Sequence, residues 1–229
     1  MRGDLETRER LLRAAESLFA QRGFKRVTVR EICIAARANV ASVNYHFGDK
    51  LGLYRVVVQS AIDKMCETTE LARQAGDGQP PDEQLRRFIA IFVRRLLTPG
   101  HDTVHQLMFR EMHDPTPALD ALLDQGIRPR IEYLSGVIAR MTGGDPGDEV
   151  VLRCVGSIQS QALAYVHRPL ASRLTRLGFK MAETGDQVDV AARHITTFSI
   201  AGIHAAAREA AEASAVARPA ARRRHQRAG

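Results

Sequence analysis

The sequence predicts an all-α protein, in which an N-terminal three-helix domain containing a helix-turn-helix precedes a longer helical domain. Two observations favour this fold class. Apolar residues recur at three- and four-residue spacing from Leu11 to Ile203, which is the period of amphipathic helices. Clusters of Gly and Pro, such as those at 76–81 and 143–148, interrupt this period and mark loops between helices.

The strongest local signal lies near the N-terminus. Thr28 and Glu31 have the three-residue spacing of a capping box, in which each side chain binds the other residue's backbone amide and starts a helix. A first short helix is therefore predicted at residues 29–36. A second is predicted at residues 40–46, because the side-chain oxygen of Asn39 can accept from its first free amides.

Only Arg37 and Ala38 separate these two helices, so they cannot lie antiparallel and must cross steeply. This arrangement is a helix-turn-helix, and its second helix is short enough to enter the major groove of DNA. Core spacing along that helix predicts that Val40, Val43 and Phe47 face the interior of the domain.

The other side chains of the second helix are expected to face DNA. Asn44 can pair with an adenine edge, and Ser42 can reach a base or a phosphate. Thr28 is either a helix cap alone or also a phosphate donor. The complete set of predicted DNA contacts is Thr28, Ser42, Asn44, Tyr45, His46 and Lys50.

With these residues the sequence resembles the TetR family of bacterial repressors. The resemblance covers the first helix at 7–22, the Gly23-Phe24 stop, the opening at 28–32 and the close at 44–54. It implies that Tyr45, His46 and Lys50 contact the DNA backbone. The chain departs from the family at Arg37, where Gly is usual, and Arg carries a conformational cost there if the turn requires positive φ.

The net charge of +7 is concentrated at the two ends of the chain. Basic side chains are in excess at the two termini, and acidic ones between them, which fits attraction of phosphate to one end of the molecule. The predicted divisions are a DNA-binding domain at 1–50, a connecting helix and loop at 51–81, an effector-binding and dimerisation domain at 82–213, and a disordered basic tail at 214–229.

The longer domain is expected to bind a small molecule, because polar side chains interrupt its apolar stripes. Residues 109–117 and 126–129 resemble the CecR-type effector domain of one TetR branch. The candidate effector contacts, each of which is otherwise ordinary core, are Met108, Phe109, Met112, Tyr133, Gln159 and Tyr165.

The last predicted helix, at 187–213, contains small residues that permit close helix packing, among them Ala201, Gly202, Ala205 and Ala206. The resemblance implies a homodimer in which two such helices from each subunit form a four-helix interface. The alternative is that this surface is buried within one chain.

Other classes of protein are disfavoured. The chain has no apolar run of membrane-spanning length and no signal peptide, so a cytoplasmic location without a membrane partner is expected. Cys33, Cys66 and Cys154 are predicted to be reduced thiols, and no metal or cofactor is expected. His105 and His113 are too far apart along the chain for a one-turn metal pair, and the lack of a catalytic constellation argues against an enzyme.

The expected function is a homodimeric DNA-binding transcriptional regulator that binds a double-stranded, pseudo-palindromic operator. The family resemblance implies a repressor of a small set of genes, of efflux or detoxification type, that a small-molecule effector releases from the operator. Two alternatives remain open: a helical adaptor for a protein partner, and a sequence-neutral architectural DNA-binding protein that acts through its arginine-rich tail.

Overall fold

The computed structural model describes residues 2–97, 102–165, 173–178 and 185–225, and the long regular elements in these ranges are helices, which confirms the predicted fold class. The helices are α1 (Arg2–Arg22), α2 (Val29–Ala36), α3 (Val40–Phe47), α4 (Lys50–Gly76), α5 (Pro81–Leu97), α6 (Asp102–His113), α7 (Ala118–Ala121), α8 (Arg128–Thr142), α9 (Glu149–Leu163) and α10 (Gly185–His225), with a π-helical segment (Leu122–Ile127) between α7 and α8.

Helix α1 begins at Arg2, earlier than the predicted residue 7. Gly126 and Pro129 interrupt the helical period and predict a kink, and the structure has a π-helical turn there, where Cys66 of α4 donates from Sγ to the Gln125 carbonyl at 3.1 Å. The sequence also predicts a helix stop at 98–100 and a short helix at 170–177; the stop, and the beginning of that helix, lie outside the described residues.

Helix α10 continues to His225, through much of the stretch predicted to be a disordered tail at 214–229. The prediction rested on the lack of core-forming side chains after Ser214. Alanine and arginine have high helix propensities, however, so a helix that is already nucleated can extend through such a sequence without tertiary packing.

Backbone contacts divide the chain into two units, and the first comprises Met1–Glu70 and Arg95–Arg130. Its core joins the helix-turn-helix to the first half of α4 and to α6, so this division differs from the predicted boundary after residue 50. The side chains at the centre of this core are Leu11, Ala15, Phe19, Val27, Ile32, Val43, Leu53, Tyr54, Val57, Leu107, Met108 and Leu122.

The second unit comprises Leu71–Arg94 and Ile131–Gly229. Its buried side chains come from the α5, α8, α9 and α10 helices at the regular spacing of amphipathic faces. They include Leu85, Phe88, Ile89, Leu134, Val137, Ile138, Val151, Val155, Ile158, Ile195 and Ile203. Phe88 stacks on Phe92 with ring centroids 5.4 Å apart.

Candidate nucleic-acid interface

The predicted capping box is present at the start of α2. The Thr28 amide donates to Glu31 Oε2 at 2.8 Å, and the Glu31 amide donates to Thr28 Oγ1 at 3.2 Å. Arg22 donates to the other oxygen of Glu31 at 2.7 Å. These bonds favour the ionised carboxylate, the Thr28 amide foremost, and lower the pKa of Glu31 to about 2. Thr28 nevertheless remains exposed, so its cap role leaves it accessible.

The turn between α2 and α3 adopts a left-handed conformation that glycine would favour, although the residue there is Arg37. Arg37 has φ 50° and ψ 50°, which is the left-handed region, and it is the only non-glycine residue with positive φ among the described residues. The Arg37 and Ala38 amides bond back to carbonyls in the last turn of α2, and Arg10 Nε donates to the Ala36 carbonyl at 3.1 Å. The turn is therefore fixed despite the strain at Arg37.

Helix α3 presents one continuous exposed face. Asn39 caps the helix by accepting from the Ala41 amide at 3.1 Å. Because an α-helix turns by about 100° per residue, positions 40, 41, 44 and 45 fall on one half of its circumference. All four of these residues are exposed, Val40 at 46 % and Tyr45 at 77 %. The exposed face of α3 therefore consists of Val40, Ala41, Asn44 and Tyr45.

The opposite half of α3 packs inwards, and two of the predictions are wrong here. Val43 is fully buried and Phe47 partly buried, as predicted, but Val40, in the first turn of α3, is 46 % exposed. His46 was expected to face DNA, yet only 8 % of its side chain is exposed and its Nε2 lies 3.4 Å from Asp4 Oδ1 of α1. Ser42, between the two halves, is partly buried.

The start of α4 lies directly after α3, which is called the reader helix from here on. Gly48 adopts φ 79° and ends α3, and Asp49 caps α4 by accepting from the Gly52 amide at 2.7 Å. The Lys50 ammonium lies 4.3 Å from the centroid of the Phe24 ring. Burial lowers the pKa of Lys50. Lys50 is therefore partly buried, and its ammonium packs on an aromatic ring at the end of the reader helix.

A buried polar cluster, which the sequence reading missed, ties α4 to the corner between α6 and α7. Tyr54 donates its hydroxyl to Glu111, whose other oxygen accepts from the Thr116 amide at 3.0 Å and hydroxyl at 2.8 Å. The Tyr54 ring packs edge-on against the Phe19 ring, with centroids 4.9 Å apart. It also packs, tilted, against the Phe24 ring, with centroids 4.7 Å apart. Burial and the Glu111 carboxylate raise the pKa of Tyr54, so its hydroxyl stays protonated and donates.

Helix α6 is also held to α1 by polar contacts at both ends. Lys25, just after α1, pairs with Asp114, just after α6. Near the start of α6, Thr103 lies 3.4 Å from Glu16, which also pairs with Lys64 of α4. Together with the Tyr54 cluster, these contacts make α1, α4 and α6 one connected framework behind the reader helix.

The predicted effector contacts are not brought together in one unit. Met108, Phe109 and Met112 belong to the first unit, and Tyr133, Gln159 and Tyr165 belong to the second. Met108 packs in the core of the first unit, whereas Met112 is 60 % exposed.

In the second unit Tyr133 and Gln159 differ in their surroundings. The Tyr133 hydroxyl lies 3.5 Å from the Ala72 carbonyl, and its ring lies 6.0 Å from that of Phe88. Both polar atoms of the Gln159 amide are buried, and neither has a hydrogen-bond partner among the described residues. An unpaired buried amide is costly, which makes Gln159 the effector candidate that the structure supports best.

A groove of about 480 Å³ lies between α9 and α10 in the second unit. Phe198 stands at its surface and is 64 % exposed, and Gly202 and Ala206 leave space beside it. Gln161 of α9 donates to Ser199 Oγ of α10 at 3.3 Å across the groove. Ile195 and Ile203 of the same helix point into the unit's own core, so α10 buries one face and exposes another.

The described residues contain no cluster of three or more His, Cys, Asp and Glu side chains that could hold a metal ion. The three cysteines are free, and burial raises the pKa of each thiol. Every helix in the described ranges is too short or too polar to cross a lipid bilayer.

A capped, exposed reader helix on a three-helix head defines the class: this is a helix-turn-helix DNA-binding protein. Two family models match the chain, bacterial regulatory proteins of the tetR family at residues 11–57 and the C-terminal domain of the HTH-type transcriptional dual regulator CecR at residues 81–203. The chain therefore belongs to the TetR family of transcription regulators and carries a C-terminal domain of the CecR type.

Individual relatives agree with this assignment. The chain is 30 % identical over 169 residues to the HTH-type transcriptional dual regulator CecR of Shigella flexneri, which covers 70 % of this chain and 75 % of that protein. Among solved structures, a TetR-like transcriptional regulator from Rhodococcus sp. RHA1 has a TM-score of 0.64 at 20 % identity and covers 86 % of this chain and 95 % of its own. A complex of SmeT with triclosan has a TM-score of 0.55 at 18 % identity, covering 81 % and 89 %.

Proposed function

We propose that this protein is a homodimeric, cytoplasmic regulator that represses a small set of genes, of efflux or detoxification type, until a small-molecule effector releases it from their operator. The observation that carries the proposal is the exposed face of α3, Val40, Ala41, Asn44 and Tyr45, on a helix whose opposite half is packed against α1. A helix held this way can enter a major groove without rearrangement of the head.

The DNA contacts divide by chemistry. Asn44, whose side chain is exposed, is proposed to bind an adenine edge. Tyr45 and Lys50 are proposed to contact phosphates, together with Thr28 at the exposed start of α2, and Ser42 to reach the backbone from the edge of the face. His46 is assigned to hold α3 against Asp4, and not to contact DNA.

The homodimer is proposed to form through the groove between α9 and α10. The exposed Phe198 ring and the small residues Gly202 and Ala206 form a surface that a second copy can cover with close backbone approach. A dimer places two reader helices on one duplex, as a two-fold operator requires.

Effector binding is proposed to occur in the second unit, where the Gln159 amide offers one donor and one acceptor that no described residue uses. A ligand that carries both a hydrogen-bond donor and an acceptor would pair with the Gln159 amide. The rest of such a ligand should be apolar, because the surrounding helices are mainly apolar. The dimer is expected to have two conformations that differ in the spacing of the two reader helices. Release from DNA requires that the effector bind the conformation with the wrong spacing for DNA more tightly than the other. The similarity to the SmeT–triclosan complex supports a small aromatic molecule as the first one to try.

The proposal is tested by selecting bound duplexes from a random pool with the full-length chain. We expect a pseudo-palindromic operator, with affinity that falls steeply as salt is added and exceeds that for scrambled sequence. Affinity for every duplex alike would instead indicate an architectural protein, and absence of duplex binding would indicate an adaptor. Reporter transcription from the selected operator decides whether the protein represses or activates. This measurement is needed because the Shigella flexneri relative is named a dual regulator, which covers both.

A further inference from the structure

We infer that Val40 selects thymine at one fixed position of each operator half-site by contacting its C5-methyl group. This inference rests on the proposed function and adds the identity of a base to it. It starts from a discrepancy: core spacing predicts that Val40 is buried, and the structure leaves it 46 % exposed.

The packing of α3 against the other helices of the DNA-binding domain leaves Val40 exposed. Val43, the next large apolar residue of α3, is fully buried and supplies the contact with the unit's core, together with Phe47 one turn on. Asn39, which precedes Val40, is engaged in capping the Ala41 amide at 3.1 Å. The leading tip of the exposed face is therefore apolar: Val40 beside the methyl of Ala41.

An apolar tip can read only one feature of the major groove. The edges of the four base pairs present hydrogen-bond donors and acceptors there, and the thymine C5-methyl group is the apolar exception. Valine has no donor or acceptor, so it gains nothing from guanine, cytosine or adenine edges and excludes water from their polar atoms. Contact with thymine carries no such cost and buries a methyl group on each side.

The position of this thymine relative to the adenine bound by Asn44 follows from helix geometry. The two residues are four apart and lie on the same face, so they are separated by about 6 Å along the helix axis. That distance is less than two base-pair steps of about 3.4 Å each. The thymine and the adenine are therefore expected within two base pairs of each other in the half-site.

The test replaces each thymine of the selected operator, one at a time, by deoxyuridine, which keeps all hydrogen-bonding groups and lacks the C5-methyl. Burial of one methyl group corresponds to about fourfold in affinity. We expect one symmetric pair of positions at which uracil weakens binding by about fourfold per half-site. This pair should lie within two base pairs of the adenine that Asn44 recognises, which is the adenine whose replacement weakens binding by the parent but not by Asn44→Ala.

Two variants identify the side chain responsible. Val40→Ala should still bind the operator but lose the discrimination between thymine and uracil at that position. Ile34→Ala, which truncates an exposed apolar residue of α2, should keep it. The inference is overturned if uracil is tolerated at every position, or if Val40→Ala discriminates as well as the parent. Either result would leave the selected operator, and the regulator assignment, intact. Failure to select any operator would refute the proposed function itself.

Discussion

The hydrogen bond between Tyr54 and Glu111 is predicted to stabilise the first unit by about 2 kcal/mol. Tyr54→Phe removes the phenolic hydroxyl and leaves one oxygen of a buried carboxylate without its donor. A bond to a charged group contributes about 1.5–3 kcal/mol, and an unsatisfied buried acceptor costs about 1–3 kcal/mol. Both residues are 1 % exposed, so water does not replace the lost donor.

The assay is urea denaturation followed by circular dichroism, at one fixed protein concentration because dimer stability depends on it. The matched control is Tyr45→Phe, which removes the same hydroxyl from a side chain that is 77 % exposed and should change stability by less than about 0.5 kcal/mol. A loss as small as this for Tyr54→Phe would refute the role assigned to the buried cluster.

A double-mutant cycle separates the pair from the rest of the cluster. In a Glu111→Ala background the Tyr54 hydroxyl has already lost its acceptor, so Tyr54→Phe should be nearly neutral or stabilising there. The interaction energy between the two substitutions should then be about 2 kcal/mol. Additive effects would mean that the Tyr54 hydroxyl does not act through Glu111, because Tyr54→Phe keeps the ring contacts with Phe19 and Phe24.

Three further predictions concern other parts of the molecule. Arg37→Gly should raise stability by about 1 kcal/mol in the same denaturation assay, because φ is 50° there, whereas Arg37→Ala, which removes the charge but keeps the strain, should not. Thr28→Ala should cost about 1 kcal/mol at neutral pH. The Thr28 hydroxyl also donates to Glu31 Oε2 at 2.8 Å, and the pKa of Glu31 is lowered in the fold from 4.5 to about 2, so the contribution of this bond is present above pH 4.5 and lost towards pH 2. The difference between parent and Thr28→Ala should therefore shrink over that range in a pH series of denaturation curves without vanishing, because the bond from the Glu31 amide to Thr28 Oγ1 does not titrate. Phe198→Glu should convert dimer to monomer in sedimentation velocity, whereas Arg193→Glu on another side of α10 should not; a monomeric parent, or a dimeric Phe198→Glu, would contradict the proposed interface.

The parts of the fold that sequence predicted well are those set by local chemistry. The capping box at Thr28 and Glu31 predicted the start of α2, because a cap depends only on neighbouring residues. The resemblance to a family that usually has Gly at the position of Arg37 raised positive φ there only as a condition, and the structure meets that condition with φ 50°.

The errors arise where an inward or outward position depends on the neighbouring helix. Val40 lies at the border between the two halves of α3, where spacing alone does not decide its exposure, and His46 lies in the opposite half, where Asp4 of α1 covers it. The Tyr54–Glu111 contact joins residues 57 positions apart, which periodicity does not reveal. Likewise, Met108 and Met112 are one helical turn apart and are both predicted effector contacts, but one is core and the other is surface.

The central claim is that the exposed face of α3 reads DNA sequence, and the ratio of affinities for the selected operator and for a scrambled duplex tests it most directly. Measured by fluorescence anisotropy at one salt concentration, Asn44→Ala should lower this ratio about tenfold or more, since a bidentate contact to adenine discriminates by about 1–3 kcal/mol. An unchanged ratio in Asn44→Ala would contradict the account.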